Sequence, residues 1–82
     1  MKKIHKFKIF NNEAIIFEGA VEVSVPNEDE CTKVLMRLSD AILDEKIKSL
    51  RLIMPKRIIF ITAHDKNHIT MRAEDIDKKS FN

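Results

Sequence analysis

The stretch PNEDECTKVLMRLSDAILDEKIK, residues 26–48, decides the fold, because it is the one part of this 82-residue chain that reads as a long helix. Asn27 is placed to cap it, and Glu30 occupies the third helical position of a capping box. Glu28, Asp29 and Glu30 suit the positive end of a helix. Behind them Cys31, Val34, Leu35, Leu38, Ala41 and Ile42 fall within about 120° on a 3.6-residue wheel, which makes a core-facing stripe. Continued to Met54, the helix would be about 40 Å long at 1.5 Å per residue, too long for strands of this size. It is therefore expected to end near Lys46–Lys48.

Upstream, the period changes from 3.6 to 2. In residues 4–10, His5, Phe7 and Ile9 alternate with Lys6 and Lys8. In residues 14–25, Ile15, Phe17, Gly19, Val21, Val23 and Val25 alternate with Glu18, Glu22 and Ser24. Alternation with β-branched and aromatic residues predicts strands. A three-residue loop, Asn11-Asn12-Glu13, pairs Ile9 with Ile15, Phe7 with Phe17 and Lys6 with Glu18. A two-residue loop would set Lys8 opposite Ile15 on the core face, so the longer loop is preferred.

Downstream, residues 49–54 read as a strand with Leu50, Leu52 and Met54 inward. A four-residue loop around Pro55-Lys56 leads to a strand over Arg57–Ala63, pairing Leu52 with Ile59 and Leu50 with Ile61. His64-Asp65-Lys66-Asn67 turns the chain into a last strand, His68–Ala73, whose Ile69 and Met71 share the face of Ile59 and Ile61. The fold class is α+β, in the order β-β-α-β-β-β, as one antiparallel sheet with a single helix packed on one face. Residues 1–74 form a single α+β domain and 75–82 a charged C-terminal tail, frayed.

Composition limits what such a domain does. The chain holds 15 Lys and Arg against 13 Asp and Glu, a net charge of +2. Its one cysteine, Cys31, excludes an internal disulfide. No apolar run approaches the roughly 20 residues of a membrane span. The basic start, Met1 to Lys8, alternates instead of leading into an apolar segment, so a cytoplasmic location is expected. The bias to Lys over Arg, 11 to 4, and the 12 Ile fit an AT-rich bacterial or phage genome. At this length folding buries only about 60–65% of the unfolded chain's surface, so a partner or a second copy would add stability.

Two surfaces suggest binding. With the helix covering Phe7, Phe17, Val21, Ile59, Ile61 and Met71, the other face would carry Lys6, Lys8, Phe10, Ile16, Arg51, Ile53, Ile58, Phe60, Thr62, Thr70 and Arg72. A contiguous apolar group there predicts a docking face for a protein partner or a homodimer. Its burial would come from Phe10, Ile16, Ile58 and Phe60, and Lys8, Arg51, Lys56 and Arg57 would steer an acidic partner. The expected function is that of a small non-enzymatic accessory or inhibitor protein that occludes a larger one. The alternative is a nucleic-acid-binding module using the basic stretch 46–66, which carries six bases and one acid. Against it, the net charge is small and no Gly- and Arg-flanked aromatic motif is present.

Chemistry is sparse. His64 and His68 bracket a turn and with Asp65 are weak metal candidates, but a catalytic zinc needs three protein ligands and a polar turn explains them equally well. Cys31 reads as a small buried hydrophobe at the helix start. No nucleophile–base spacing, phosphate loop or carboxylate pair for acid–base work appears, so neither catalysis nor a cofactor is expected.

Overall fold

In a computed structural model, described over residues 4–65 and 67–76, the chain forms six strands and one helix. They are β1 (His5–Ile9), β2 (Asn12–Phe17), β3 (Ala20–Ser24), α1 (Glu28–Leu43), β4 (Ser49–Ile53), β5 (Arg57–Asp65) and β6 (His68–Asp75). The strands lie side by side in chain order in one sheet. Every neighbouring pair is antiparallel except β3 and β4, which run parallel. The fold is α+β, but the sheet is mixed, not purely antiparallel. The cause lies at Gly19. The run 14–25 is two strands, broken by a two-residue turn in which Glu18 (φ 51°) and Gly19 (φ 82°) both have positive φ, as tight hairpin turns require. That extra reversal leaves β3 ending where α1 begins. A 16-residue helix, about 24 Å at 1.5 Å per residue, then returns the chain to the start of β4. Such a crossover makes its two flanking strands parallel.

The first hairpin also differs from expectation. Its turn is Phe10-Asn11, with Phe10 at φ 58°, and Phe7 stands opposite Ala14, Lys8 opposite Glu13 and Lys6 opposite Ile15. The lysines avoid the core because Ile15 points outward and Ala14 and Ile16 point inward. The decisive residue is Asn12, which is buried. Its Nδ2 donates to Ile9 O (3.3 Å) and to Glu30 Oε1 (3.1 Å), so a polar side chain at the tip is satisfied inside the fold. Downstream the predicted register holds: Leu52 pairs with Ile59 and Leu50 with Ile61, and Ile61 pairs with Met71.

The inner face of the sheet carries the core. Val21, Val23, Leu50 and Leu52 on the two parallel strands, with Val34 from α1, are the largest fully buried side chains. Cys31 and Ile42 from α1 belong to the same buried cluster, with Leu35, Leu38 and Ala41 half-buried against it. Burial pushes the Cys31 thiol above its ordinary pKa, with Glu28 adding to the shift. The thiol is therefore a protonated core group rather than a nucleophile.

Both helix ends are built as local chemistry requires. Asn27 Oδ1 accepts from Glu30 N (2.9 Å). The Glu30 carboxylate turns to Asn12 and to Lys33 Nζ (3.2 Å), so the capping box serves a tertiary contact. The Asn12 hydrogen bond first, and Lys33 second, hold Glu30 below the ordinary glutamate pKa. At the other end Lys46 N donates to Ala41 O (2.9 Å) and Glu45 N to Ile42 O (3.1 Å), a Schellman motif. It stops the helix at Leu43, three to five residues short of the expected end at Lys46–Lys48. Its left-handed position is filled by Glu45 at φ 62°, where glycine would carry no Cβ penalty.

Two substitutions test these readings by urea unfolding. Asn12→Ala removes both amide hydrogen bonds and is expected to cost about 1–3 kcal/mol. Glu45→Gly relieves the left-handed strain and is expected to raise stability by up to about 1 kcal/mol. A neutral Asn12→Ala or a destabilising Glu45→Gly would contradict the respective assignment.

Candidate docking face

Because opposite residues on neighbouring strands share a face, the register defines the outer surface directly. One row crosses all six strands: Lys6, Ile15, Glu22, Arg51, Phe60 and Arg72. Arg51 Nη1 donates to Glu22 Oε2 (2.8 Å), and its guanidinium carbon lies 5.8 Å from the centre of the Phe60 ring. On the other side of that ring the Arg72 guanidinium carbon lies at 4.6 Å, and Arg72 is also bonded to Glu74. Phe60 is thus held between two guanidinium groups, each fixed by its own carboxylate. Such contacts order a ring without covering its apolar surface. In the next row Ile53 stands opposite Ile58. Ile15, Ile53, Ile58 and Phe60 are all half-buried.

Half of the predicted site residues gather here. Lys8, Arg51, Ile58 and Phe60 are on the outer face. Ile16 is not: it pairs with Val21 and packs against the core. Phe10 sits in the β1–β2 turn, 56% exposed, at a hollow of about 320 Å³ shared with Phe7, Arg37 and Leu38. Arg57 alternates to the inner side, where Nε donates to Asp75 Oδ1 (3.0 Å) and Nη1 to Glu28 Oε1 (3.5 Å). The Asp75 carboxylate is the main cause of its raised pKa. Lys56 lies on the rim of a surface groove of about 900 Å³ beside Pro26, Met54, Pro55 and Ile76. There Lys56 and Arg57 face Glu28 and Asp75, so the groove holds balanced charge. Phe17, expected inward, instead faces outward with Ala20.

The basic stretch is not one patch. Lys46 and Lys48 precede β4, while Lys56 and Arg57 follow it, at opposite ends of that strand. Lys66 lies outside the described residues, as does Phe81, which the tail could have laid across the sheet. On the outer face four bases (Lys6, Lys8, Arg51, Arg72) meet three acids (Glu13, Glu22, Glu74), an excess of one positive charge. The histidine rings of His64 and His68 stack, with centroids 4.5 Å apart and planes 26° from parallel. Ring-nitrogen lone pairs lie in the ring plane, so stacked rings do not converge on a common ion. His64 Nε2 pairs with Thr70 Oγ1 (3.2 Å) and Asp65 accepts from Asn67 N (2.7 Å). Among the described residues no three His, Cys, Asp or Glu are grouped to hold a metal.

Sequence reasoning missed Ile15 on this face, because it read 14–25 as one strand. The signal was available in Gly19, since a lone glycine within an alternating run marks a break or a close backbone approach. Its carbonyl accepts from Lys48 N (2.8 Å). Comparison with protein-family models, with curated proteins and with solved structures finds no match. Among the described residues no helix is long and apolar enough to cross a membrane.

The row of charges contributes little to folding. The Glu22–Arg51 pair is exposed, and such pairs are worth under about 1 kcal/mol. Arg51→Ala and Arg72→Ala are each expected to lower the unfolding free energy, read by urea titration, by no more than that. A loss of 2 kcal/mol or more would make the ladder a structural device and remove it as a docking feature.

Proposed function

We propose that the chain is a non-enzymatic binding protein that docks a protein partner on its outer sheet face, in the manner of a small accessory or inhibitor protein. The observation that supports this reading is the apolar group of Ile53, Ile58 and Phe60 on the outer face, with Ile15 beyond the Glu22–Arg51 pair, beside two arginines, Arg51 and Arg72, that are tied to Glu22 and Glu74. A partner that brings its own apolar side chains to this group displaces water from it at no ionic cost, because Arg51 and Arg72 remain neutralised by Glu22 and Glu74. Aromatic and arginine side chains at the centre of a patch are the usual anchors of such interfaces. The small charge excess makes steering of an acidic partner a secondary effect.

The same ladder supports a second reading. An aromatic ring flanked by arginines on an open sheet is a stacking platform for a single-stranded nucleic acid. The separation of Lys46 and Lys48 from Lys56 and Arg57 argues against it, because phosphate binding gains with each clustered cation. Crosslinking in the source cell, followed by titration with the captured partner, distinguishes the two. Phe60→Ala is expected to weaken a protein complex at least about tenfold, as anchor truncation does, and Lys56→Ala to leave it unchanged. Salt-dependent binding of mixed oligonucleotides, weakened uniformly by Arg51→Ala with Arg72→Ala, would favour nucleic acid. A partner complex indifferent to Phe60→Ala, with no oligonucleotide binding, would overturn both.

A further inference from the structure

The two edges of the sheet are built differently. The β1 edge carries Lys6 and Lys8 in a five-residue strand, the usual protection against strand-to-strand pairing. The β6 edge is an eight-residue strand, His-Ile-Thr-Met-Arg-Ala-Glu-Asp, exposed along its whole length. It has no lysine and no proline, and the one irregularity of the last hairpin lies on β5, between Ala63 and Asp65. Its inner side presents Ile69, Met71 and Ala73, with Met71 67% exposed.

The hydrogen-bond phase of β6 follows from its junction with β5. Ile76 N donates to Lys56 O (2.8 Å), directly across the ladder. Bonded and non-bonded pairs alternate in an antiparallel sheet, so Thr70, Arg72 and Glu74 direct their backbone groups at β5. Those of Ile69, Met71 and Ala73 point away from the sheet. The opposite side of β5 agrees, since Ala63 N and Arg57 O bond to β4 and its flanks.

We propose that this edge pairs antiparallel with β6 of a second copy, about a two-fold axis through Met71, joining the two six-stranded sheets into one. The axis must pass through a residue, because a two-fold perpendicular to the sheet keeps inner side chains with inner ones. Centred on Met71, the pairing sets Met71 against Met71, Ile69 against Ala73, Thr70 against Arg72, and His68 against Glu74. Each opposition is apolar with apolar or polar with polar, and the only carboxylate among them meets an imidazole. Centring on Arg72 sets two guanidinium groups against each other and Ile69 against Asp75, which is destabilising. Centring on Ala73 sets Met71 against Asp75. Centring on Thr70 carries Ala73 past the strand to Asn67. Of these registers the Met71 one alone opposes apolar with apolar and polar with polar over the whole of His68–Glu74, and it is independent of what the outer face binds.

The test combines mass measurement with register-specific crosslinking. Light scattering on the full chain is expected to give twice the monomer mass at roughly 100 µM, the range of a small strand-added interface. Met71→Lys is expected to give a folded monomer, and Phe60→Ala to remain a dimer. In a Cys31→Ala background with oxidised glutathione, Met71→Cys brings two Cα atoms to about 5.5 Å, within disulfide reach. Met71→Cys should crosslink at least about tenfold faster than Arg72→Cys or Ala73→Cys, which this register holds farther from their own copies. A monomer at every concentration would overturn the proposal. So would equal crosslinking at the three positions, or a dimer lost in Phe60→Ala and kept in Met71→Lys.

Discussion

The parallel seam between β3 and β4 is the constraint on which everything else depends. Val21 lies beside Leu50 and Val23 beside Leu52, and these four, with Val34 above them, form the driest part of the molecule. A parallel pair cannot be closed by a turn. It requires the crossover that α1 supplies, and such strands are ordinarily covered on both faces. This chain has helix enough for one side. Among the described residues the seam is therefore buried on its inner face, at Val21, Val23, Leu50 and Leu52, and only partly covered on the other, at Glu22, Ser24, Arg51 and Ile53.

Burial decreases outward from that seam. β4 alternates between buried and half-buried or exposed positions, β5 is buried or half-buried at five of its nine positions, and β6 is exposed throughout. Among the described residues Ile69 and Met71 keep apolar area exposed on the inner side of the last strand. Apolar residues at those positions are unnecessary for a strand meant to meet only water. Their presence there, beside an edge stripped of lysines, is the same economy of covering material seen on the outer face.

The second half of the fold was legible in the sequence because its signals were local and independent. Proline at position 55 fixes the loop, and with Leu50, Leu52 and Met54 inward the four-residue loop leaves one register that keeps Leu50, Leu52, Ile59 and Ile61 together. The helix start was legible for the same reason, since Asn27 and Glu30 act within one turn. The first half was not, because its two decisive residues act at a distance. Gly19 is a turn only because β3 must pass back alongside β2, and Asn12 is a core residue only because Glu30, 18 positions away, reaches it. Read locally, asparagine belongs in a loop and a lone glycine is merely a small strand residue. Once those two were misplaced, Ile15 and Ile16 exchanged faces, and with them part of the candidate site.

That exchange changes the character of the outer surface. With Ile16 inside and Glu22 paired to Arg51, the face carries the apolar group Ile53, Ile58 and Phe60 flanked by neutralised arginines instead of a greasy patch rimmed by free bases. A border of free cations would attract acidic partners from a distance and lose its hold with salt. A neutralised border gives little long-range attraction and makes recognition depend on shape and on the fixed ring of Phe60. On the proposed docking role the charges would act against wrong partners: any surface that disrupted Glu22–Arg51 or Arg72–Glu74 without replacing them would leave an unpaired charge at the contact.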